Sequence, residues 1–182
     1  LGRYVEINAP RGKYYEKNFF ECQPALNYGF AHPDLNHKWE QPVTAPGPQA
    51  LWRELRNIMA FWFDKGVDGF RVDMAASLVK NDPGKVETSK MWNEMRAWKN
   101  YPQCVLISEW ADPTVAIPAG FNIDFMIHFG VPGYGSLFFA RNTPWGKIQP
   151  WDNRLTAYKY CYFDKEGKGT LDEFVKNYSH SY

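Results

Sequence analysis

An arginine and an aspartate stand two residues apart in GVDGFRVD, as Arg71 and Asp73, inside a run that otherwise has the composition of a buried strand. A second carboxylate, Glu109, closes the apolar run CVLISE. In an extended chain residues two apart point to the same side, so Arg71 and Asp73 share one face while Phe70 and Val72 share the other. Two carboxylates brought close together can divide the labour of acetal cleavage: one stays ionised and attacks the anomeric carbon, and the other delivers a proton to the leaving oxygen. An arginine beside Asp73 keeps that carboxylate ionised, as a nucleophile must be, and can also bond sugar hydroxyls. The plain alternatives are a purely structural Arg71–Asp73 ion pair, an Asp73 that caps a following MAASLVK helix, and a Glu109 that is a solvated charge at a strand exit.

The elements that position these residues follow from periodicity. From Pro48 to Lys65, residues Leu51, Leu55, Ile58, Met59, Trp62 and Phe63 recur on one helical face, with Pro48 suited to the first turn and Gly66 to the left-handed position after the end. A strand follows over Val67 to Asp73. A second helix is expected from about Glu87 to Trp98, then a strand over Cys104 to Ile107, apolar on both faces, as in a buried parallel strand. Asp112 can cap and Pro113 can start a short helix that Pro118 stops, before a third apolar strand over Phe121 to Phe129. Strands alternating with helices imply parallel strands and an α/β fold. Leu1 to Gly47 shows no sustained period and reads as an irregular excursion.

In parallel α/β folds, ligands bind at the carboxyl edge of the sheet, and Asp73 and Glu109 both stand where a strand stops. They are 36 residues apart, close to the roughly 30 residues per strand-helix unit of a 250-residue barrel. That spacing puts them on neighbouring strands. Neighbouring strands lie about 4.8 Å apart, near the roughly 5 to 5.5 Å between the carboxyl groups of a retaining glycosidase.

A net charge of +1 with scattered basic residues gives no electrostatic case for nucleic acid or an acidic membrane surface, and no window approaches a membrane-spanning apolar length. Aromatic residues make up 18% of the chain, which suits either a generous core or a surface that stacks on sugar rings. Cys22, Cys104 and Cys161 are widely spaced without a zinc-type pairing and read as structural thiols; no metal or other cofactor is expected. No targeting segment is evident, and the compartment is left open.

GVDGFRVD followed by LISEW resembles the second and third conserved stretches of the α-amylase family of glycoside hydrolases, at the ends of barrel strands four and five. QPALN, Gln23 to Asn27, resembles the QPDLN stretch of the oligo-1,6-glucosidase and neopullulanase branches, with Ala25 in place of the aspartate, and FWFDKGVDGFRVD is very like their α-glucosidases. The resemblance implies Asp73 as nucleophile, Glu109 as general acid/base and Arg71 as the arginine that holds nucleophile and substrate. Trp110, next to the acid, is taken as a substrate-binding platform, and His128 as a core histidine. Met74, after the nucleophile, is neither of the residues associated with particular linkage preferences. The family's first stretch, ending in Asn-His, and its fourth, Phe-x-x-Asn-His-Asp with a third acidic residue, are not found. FVKNYS, Phe174 to Ser179, matches only the start of the latter and follows TLDE, a capping box from Thr170, so it reads as a barrel helix. DKEGKGTLDEFV imitates a calcium loop but has Lys168 and Val175 where oxygen ligands belong.

The reading is a partial (β/α)8 TIM barrel: residues 1–46 an inserted excursion after strand three, residues 47–182 strands four to six with their helices. The expected function is a retaining glycoside hydrolase or transglycosidase acting on α-glucosidic linkages of oligo- or polysaccharides. The rival reading is a non-catalytic, carbohydrate-binding or structural relative. As a stretch without the third carboxylate, the isolated chain is expected to be inactive and to self-associate through exposed strand edges.

Overall fold

The computed structural model describes residues 4–10, 12–18, 20–97, 99–125, 137–138, 161–163 and 167–181. The chain opens with an antiparallel pair, β1 (Tyr4–Ala9) and β2 (Gly12–Glu16), with Val5 opposite Tyr15. The expectation of an irregular start is corrected here. Nearly every residue of both strands is exposed or half-exposed, so no apolar alternation marks them in the sequence. The excursion continues as loops to residue 45 and is tied down by backbone hydrogen bonds, Ala31 N–H to Lys80 O and Lys80 N–H to Gly29 O, both 2.9 Å.

Helix α1 spans Pro46–Asp64, two residues earlier than its apolar pattern suggested, because Pro46 already provides the fixed φ that suits a first helical position. Lys65 ends it and Gly66 follows at φ 92°, the left-handed conformation glycine adopts without penalty. Strand β3 (Gly69–Val72) comes next. Helix α2 (Val86–Arg96) begins where Asp82 accepts hydrogen bonds from the backbone N–H of Glu87 (3.2 Å) and Thr88 (2.8 Å), and from the Thr88 hydroxyl (2.7 Å). These satisfy donors that the first turn leaves unpaired. Strand β4 (Val105–Ser108), the single-turn α3 (Pro113–Ala116) and β5 (Ile123–Asp124) complete the alternation. Met126 to Phe129, the rest of the third expected strand, and with it His128, lie outside the described residues.

Strands β3, β4 and β5 form one parallel sheet in that order, with Arg71 opposite Ile107 and Val72 opposite Ser108, then Ser108 opposite Asp124. The α/β class is therefore observed. The core lies on one face of this sheet, where Trp52, Met59 and Phe63 of α1 and Met91, Trp92 and Met95 of α2 gather on Leu106, with Phe70 and Val72 packed against the cluster. Burying Leu106 fully contributes about 1.5–3 kcal/mol. The indole N–H groups of the two core tryptophans are paired, Trp92 to Ala75 O at 3.0 Å and Trp52 to Tyr28 O at 2.9 Å. Gly69 lies where β3 and β4 approach so closely that a Cβ would meet the Val105 carbonyl oxygen at 2.0 Å.

Helix α4 (Asp172–Tyr178) includes most of FVKNYS, as a helix reading requires. Thr170 does not cap it: the N-cap is Leu171, without a side-chain hydrogen bond. The chain beyond α4 reaches β5, where Asp124 N–H donates to Ser181 O at 3.0 Å. Of the cysteines, Cys104 and Cys161 are buried, whereas Cys22 is exposed and holds no core together. Asp164 to Glu166 of the calcium-like loop lie outside the described residues. Among the described residues no helix is long and apolar enough to cross a membrane.

Candidate active site

The sheet's second face carries the charges. Arg71 projects from β3 opposite Ile107 of β4, and continuing each strand two residues brings Asp73 and Glu109 to the same carboxyl edge. The Glu109 N–H donates to Val72 O at 3.0 Å, extending the ladder to the rim. From this position the guanidinium of Arg71 bridges both carboxylates: Nη1 donates to Asp73 Oδ1 and Nη2 to Glu109 Oε2. Its Cζ also lies 5.4 Å from the ring centre of Phe125, which follows β5 and so brings a third strand end to the site.

The environments of the two carboxyls differ. The Asp73 side chain is 61% exposed and that of Glu109 only 17%. A hydrogen bond between them favours the ionised form of Asp73 and, with the Arg71 charge beside it, holds its carboxyl below the usual aspartate range. Glu109 moves the other way. Burial pushes it above the usual glutamate range, and sharing a hydrogen bond with Asp73 adds to the effect, outweighing Arg71 and the Met74 N–H. Two coupled acids separated in this way titrate as a pair, with one member ionised and one protonated over the interval between.

Both rim turns hold a non-glycine residue in the left-handed region, Met74 at φ 47° and Ala111 at φ 60°. Such conformations cost about 1–3 kcal/mol and persist where the surroundings enforce them. At Met74 the turn aims its N–H at Glu109 Oε2, 3.4 Å away. Asp73 does not cap a regular helix: Met74 is the N-cap of a three-residue 3-10 turn, Ala75–Ser77, without a side-chain cap bond.

The expectation for Trp110 is corrected. It has the same parity as Leu106 and Ser108, so it turns to the covered face, where it is 7% exposed and meets Phe121 edge-on with ring centres 6.1 Å apart. It is a core residue and offers no platform to a sugar. Sequence reading missed Phe125, although parity with Ile107 through the β4–β5 ladder would have placed it near Arg71. It also missed HPDLN, His32 to Asn36, which matches QPDLN at four of five positions and keeps the aspartate that QPALN lacks. Asp34 Oδ1 there accepts from the Asn36 N–H at 2.9 Å, closing a tight turn.

No protein-family model matches the chain. A trehalose synthase of Pimelobacter sp. (strain R48) is 33% identical over 105 residues, 54% of this chain and 15% of that protein. An oligo-1,6-glucosidase of Parageobacillus thermoglucosidasius is 36% identical over 79 residues, 43% of this chain and 11% of its own. An α-glucosidase of Culex pipiens is 32% identical over 87 residues, covering 48% and 12%. The match thus spans 15% or less of each of these relatives. Among solved structures, Amy13B of Eubacterium rectale superposes with a TM-score of 0.46 and 21% identity, over 70% of this chain and 22% of that one. The relatives' names bear out the resemblance drawn from GVDGFRVD and LISEW.

Proposed function

We propose that this chain, a relative of the α-amylase family of glycoside hydrolases, carries the nucleophile and the acid/base of a retaining enzyme acting on α-glucosidic linkages. The observation that carries this reading is the Arg71 bridge between Asp73 and Glu109 at the carboxyl ends of adjacent parallel strands, with the two acids displaced in opposite directions. In this reading residues 47–182 supply strands four to six of a (β/α)8 barrel and their helices, and residues 1–46 belong to the excursion after strand three. An α-glucan or oligosaccharide is the substrate.

In the first step Asp73 Oδ attacks the anomeric carbon while Glu109 gives its proton to the departing glycosidic oxygen, so a glycosyl ester forms as the acetal bond breaks. In the second, Glu109 takes a proton from water, the oxygen attacks the same carbon, and Asp73 leaves as a carboxylate. A sugar hydroxyl in place of water turns hydrolysis into transfer. The Arg71 guanidinium, bonded to both carboxyls, keeps them together at the one rim where a sugar would meet them.

The test is Asp73→Asn and Glu109→Gln in the whole protein containing this chain, assayed on an aryl α-glucoside. Turnover is expected to fall by about 10³-fold or more for each, some 4 kcal/mol of transition-state stabilisation. Activity within about tenfold of wild type, or ~1.4 kcal/mol, for either variant overturns its role. A wild-type protein that binds α-glucans without cleaving them supports the non-catalytic reading instead.

A further inference from the structure

Behind Glu109, on the covered face, lies a second carboxylate that the two-step chemistry does not use. Asp124 is 1% exposed and stands on β5 opposite Ser108, the residue before Glu109. Its Oδ1 accepts from the Ser108 hydroxyl at 2.6 Å, from the Trp110 N–H at 3.0 Å and from the Ala111 N–H at 3.3 Å. Two consecutive backbone N–H groups, of Trp110 and the left-handed Ala111, therefore converge on one side chain. Successive N–H groups about a left-handed residue form a concavity that binds anions, and here the protein's own carboxyl fills it, although burial pushes that carboxyl above the usual aspartate range. Its other oxygen, Oδ2, is buried and has no hydrogen-bond partner among the described residues.

A buried carboxyl with one orphaned oxygen is a costly feature for a fold to keep. An asparagine could accept the same N–H bonds through one oxygen but would put two donors in place of the buried Oδ2. What Asp124 fixes is the turn on both sides of Glu109: residue 108 before it and residues 110 and 111 after it. Glu109 is the one member of this stretch whose side chain leaves for the open face. We infer that Asp124 is a positioning residue for Glu109, its carboxylate clamping the strand exit so that the Glu109 carboxyl is held at the rim beside Asp73 and the Met74 N–H. This rests on the reading of Glu109 as the acid/base.

The experiment compares two substrates of the whole protein. An α-linked glucose disaccharide needs its leaving oxygen protonated, whereas α-glucosyl fluoride loses fluoride with little acid assistance. A displaced acid therefore slows the first far more than the second. Asp124→Asn is expected to lower kcat/KM for the disaccharide by about 10²-fold and for the fluoride by no more than about threefold, following the scale of general acid catalysis. Glu109→Gln should show the same split, larger. Equal losses on both substrates in Asp124→Asn would make Asp124 merely structural and overturn the inference, as would unchanged kinetics. If Asp124→Asn fails to fold, Ser108→Ala, which removes one bond to the clamp, decides: a smaller split in the same direction supports the role, and equal losses or none overturn it. Should Glu109→Gln itself show no split, the acid/base reading falls and this inference with it; a split there without one at Asp124 removes only the inference.

Discussion

The two faces of the β3–β4–β5 sheet are built from alternate residues of the same strands yet differ in almost every physical respect. On one, Leu106, Ser108, Trp110 and Asp124 are all buried beneath α1, α2 and α3. On the other, Arg71 and Ile123 are exposed, and Val105, Ile107 and Phe125 only half-buried. The covered face obtains its stability from apolar area and from polar groups that, among the described residues, are almost all paired, Asp124 Oδ2 excepted. The open face holds three charged groups against one another, which a covered face could hold only at the cost of desolvation. Strand parity alone thus separates the residues that hold the fold from those that could meet a ligand, and it does so one residue at a time.

The contrast is sharpest between neighbours. Leu106→Ala should destabilise the chain by about 2–5 kcal/mol, because it leaves a cavity beneath Trp92 and Met91, whereas Ile107→Ala on the opposite face should cost about 1 kcal/mol. Chemical denaturation of the two variants measures this directly. Equal costs would break the comparison, showing that the second face is covered in solution.

Gly69 tests a different limit of the same rule. It has the parity of the open face, where a methyl group should be tolerated, yet a Cβ there would lie against the Val105 carbonyl. Gly69→Ala is therefore expected to cost about 1–3 kcal/mol by forcing β3 and β4 apart, and, because Arg71 lies on β3 and Asp73 directly follows it, to lower the proposed activity as well. A variant of wild-type stability would mean that the strands yield without strain.

The alternation of faces was legible in the sequence because it needs only a period of two and the charges of Arg71, Asp73 and Glu109. Parallel pairing was legible too, from the helices between strands. What the sequence concealed depended on distant partners. The helix α1 has apolar residues almost all round its second half, AFWF included, so its period could not choose a face: Trp52, Met59 and Phe63 are buried, but Ile58 and Trp62, expected beside them, are each 48% exposed. Trp52 turns inward to bond Tyr28, 24 residues away, which no local pattern announces. Trp110 was misread because it was judged by its neighbour Glu109 and not by its parity with Leu106. The left-handed turns at Met74 and Ala111 left no sign, since neither residue is a glycine or an asparagine.

On the open face, the opposite displacement of the two acids sets a pH profile. In the proposed mechanism Asp73 must be ionised and Glu109 protonated, so kcat/KM should fall on the acid side as Asp73 gains its proton, below the usual aspartate range, and on the alkaline side as Glu109 loses its own, above the usual glutamate range. With α-glucosyl fluoride, which needs little acid assistance, the alkaline limb should flatten while the acid limb stays. An alkaline limb of undiminished depth with that substrate would assign it to another group.

The smallest expected effect is on stability, and its sign separates the two carboxyls. Asp73 has a lowered folded-state pKa, so its contribution is present above the unfolded value of about 3.9 and is lost as pH falls through the folded one. Glu109 has a raised folded-state pKa, so its contribution is present below the unfolded value of about 4.3 and is lost as pH rises through the folded one. At pH 7, then, Asp73→Asn should lose a little stability and Glu109→Gln should gain a little. Both changes should stay below about 1 kcal/mol, because Arg71, the partner both carboxyls share, is half exposed and the pairs are screened. As the pH is lowered toward 3 the deficit of Asp73→Asn should shrink and the advantage of Glu109→Gln should vanish. Thermal unfolding of the two variants across that range measures the pattern. Shifts of the same sign at pH 7 would show that the two acids are not held apart, and would leave the open face with an ion pair but no division of labour.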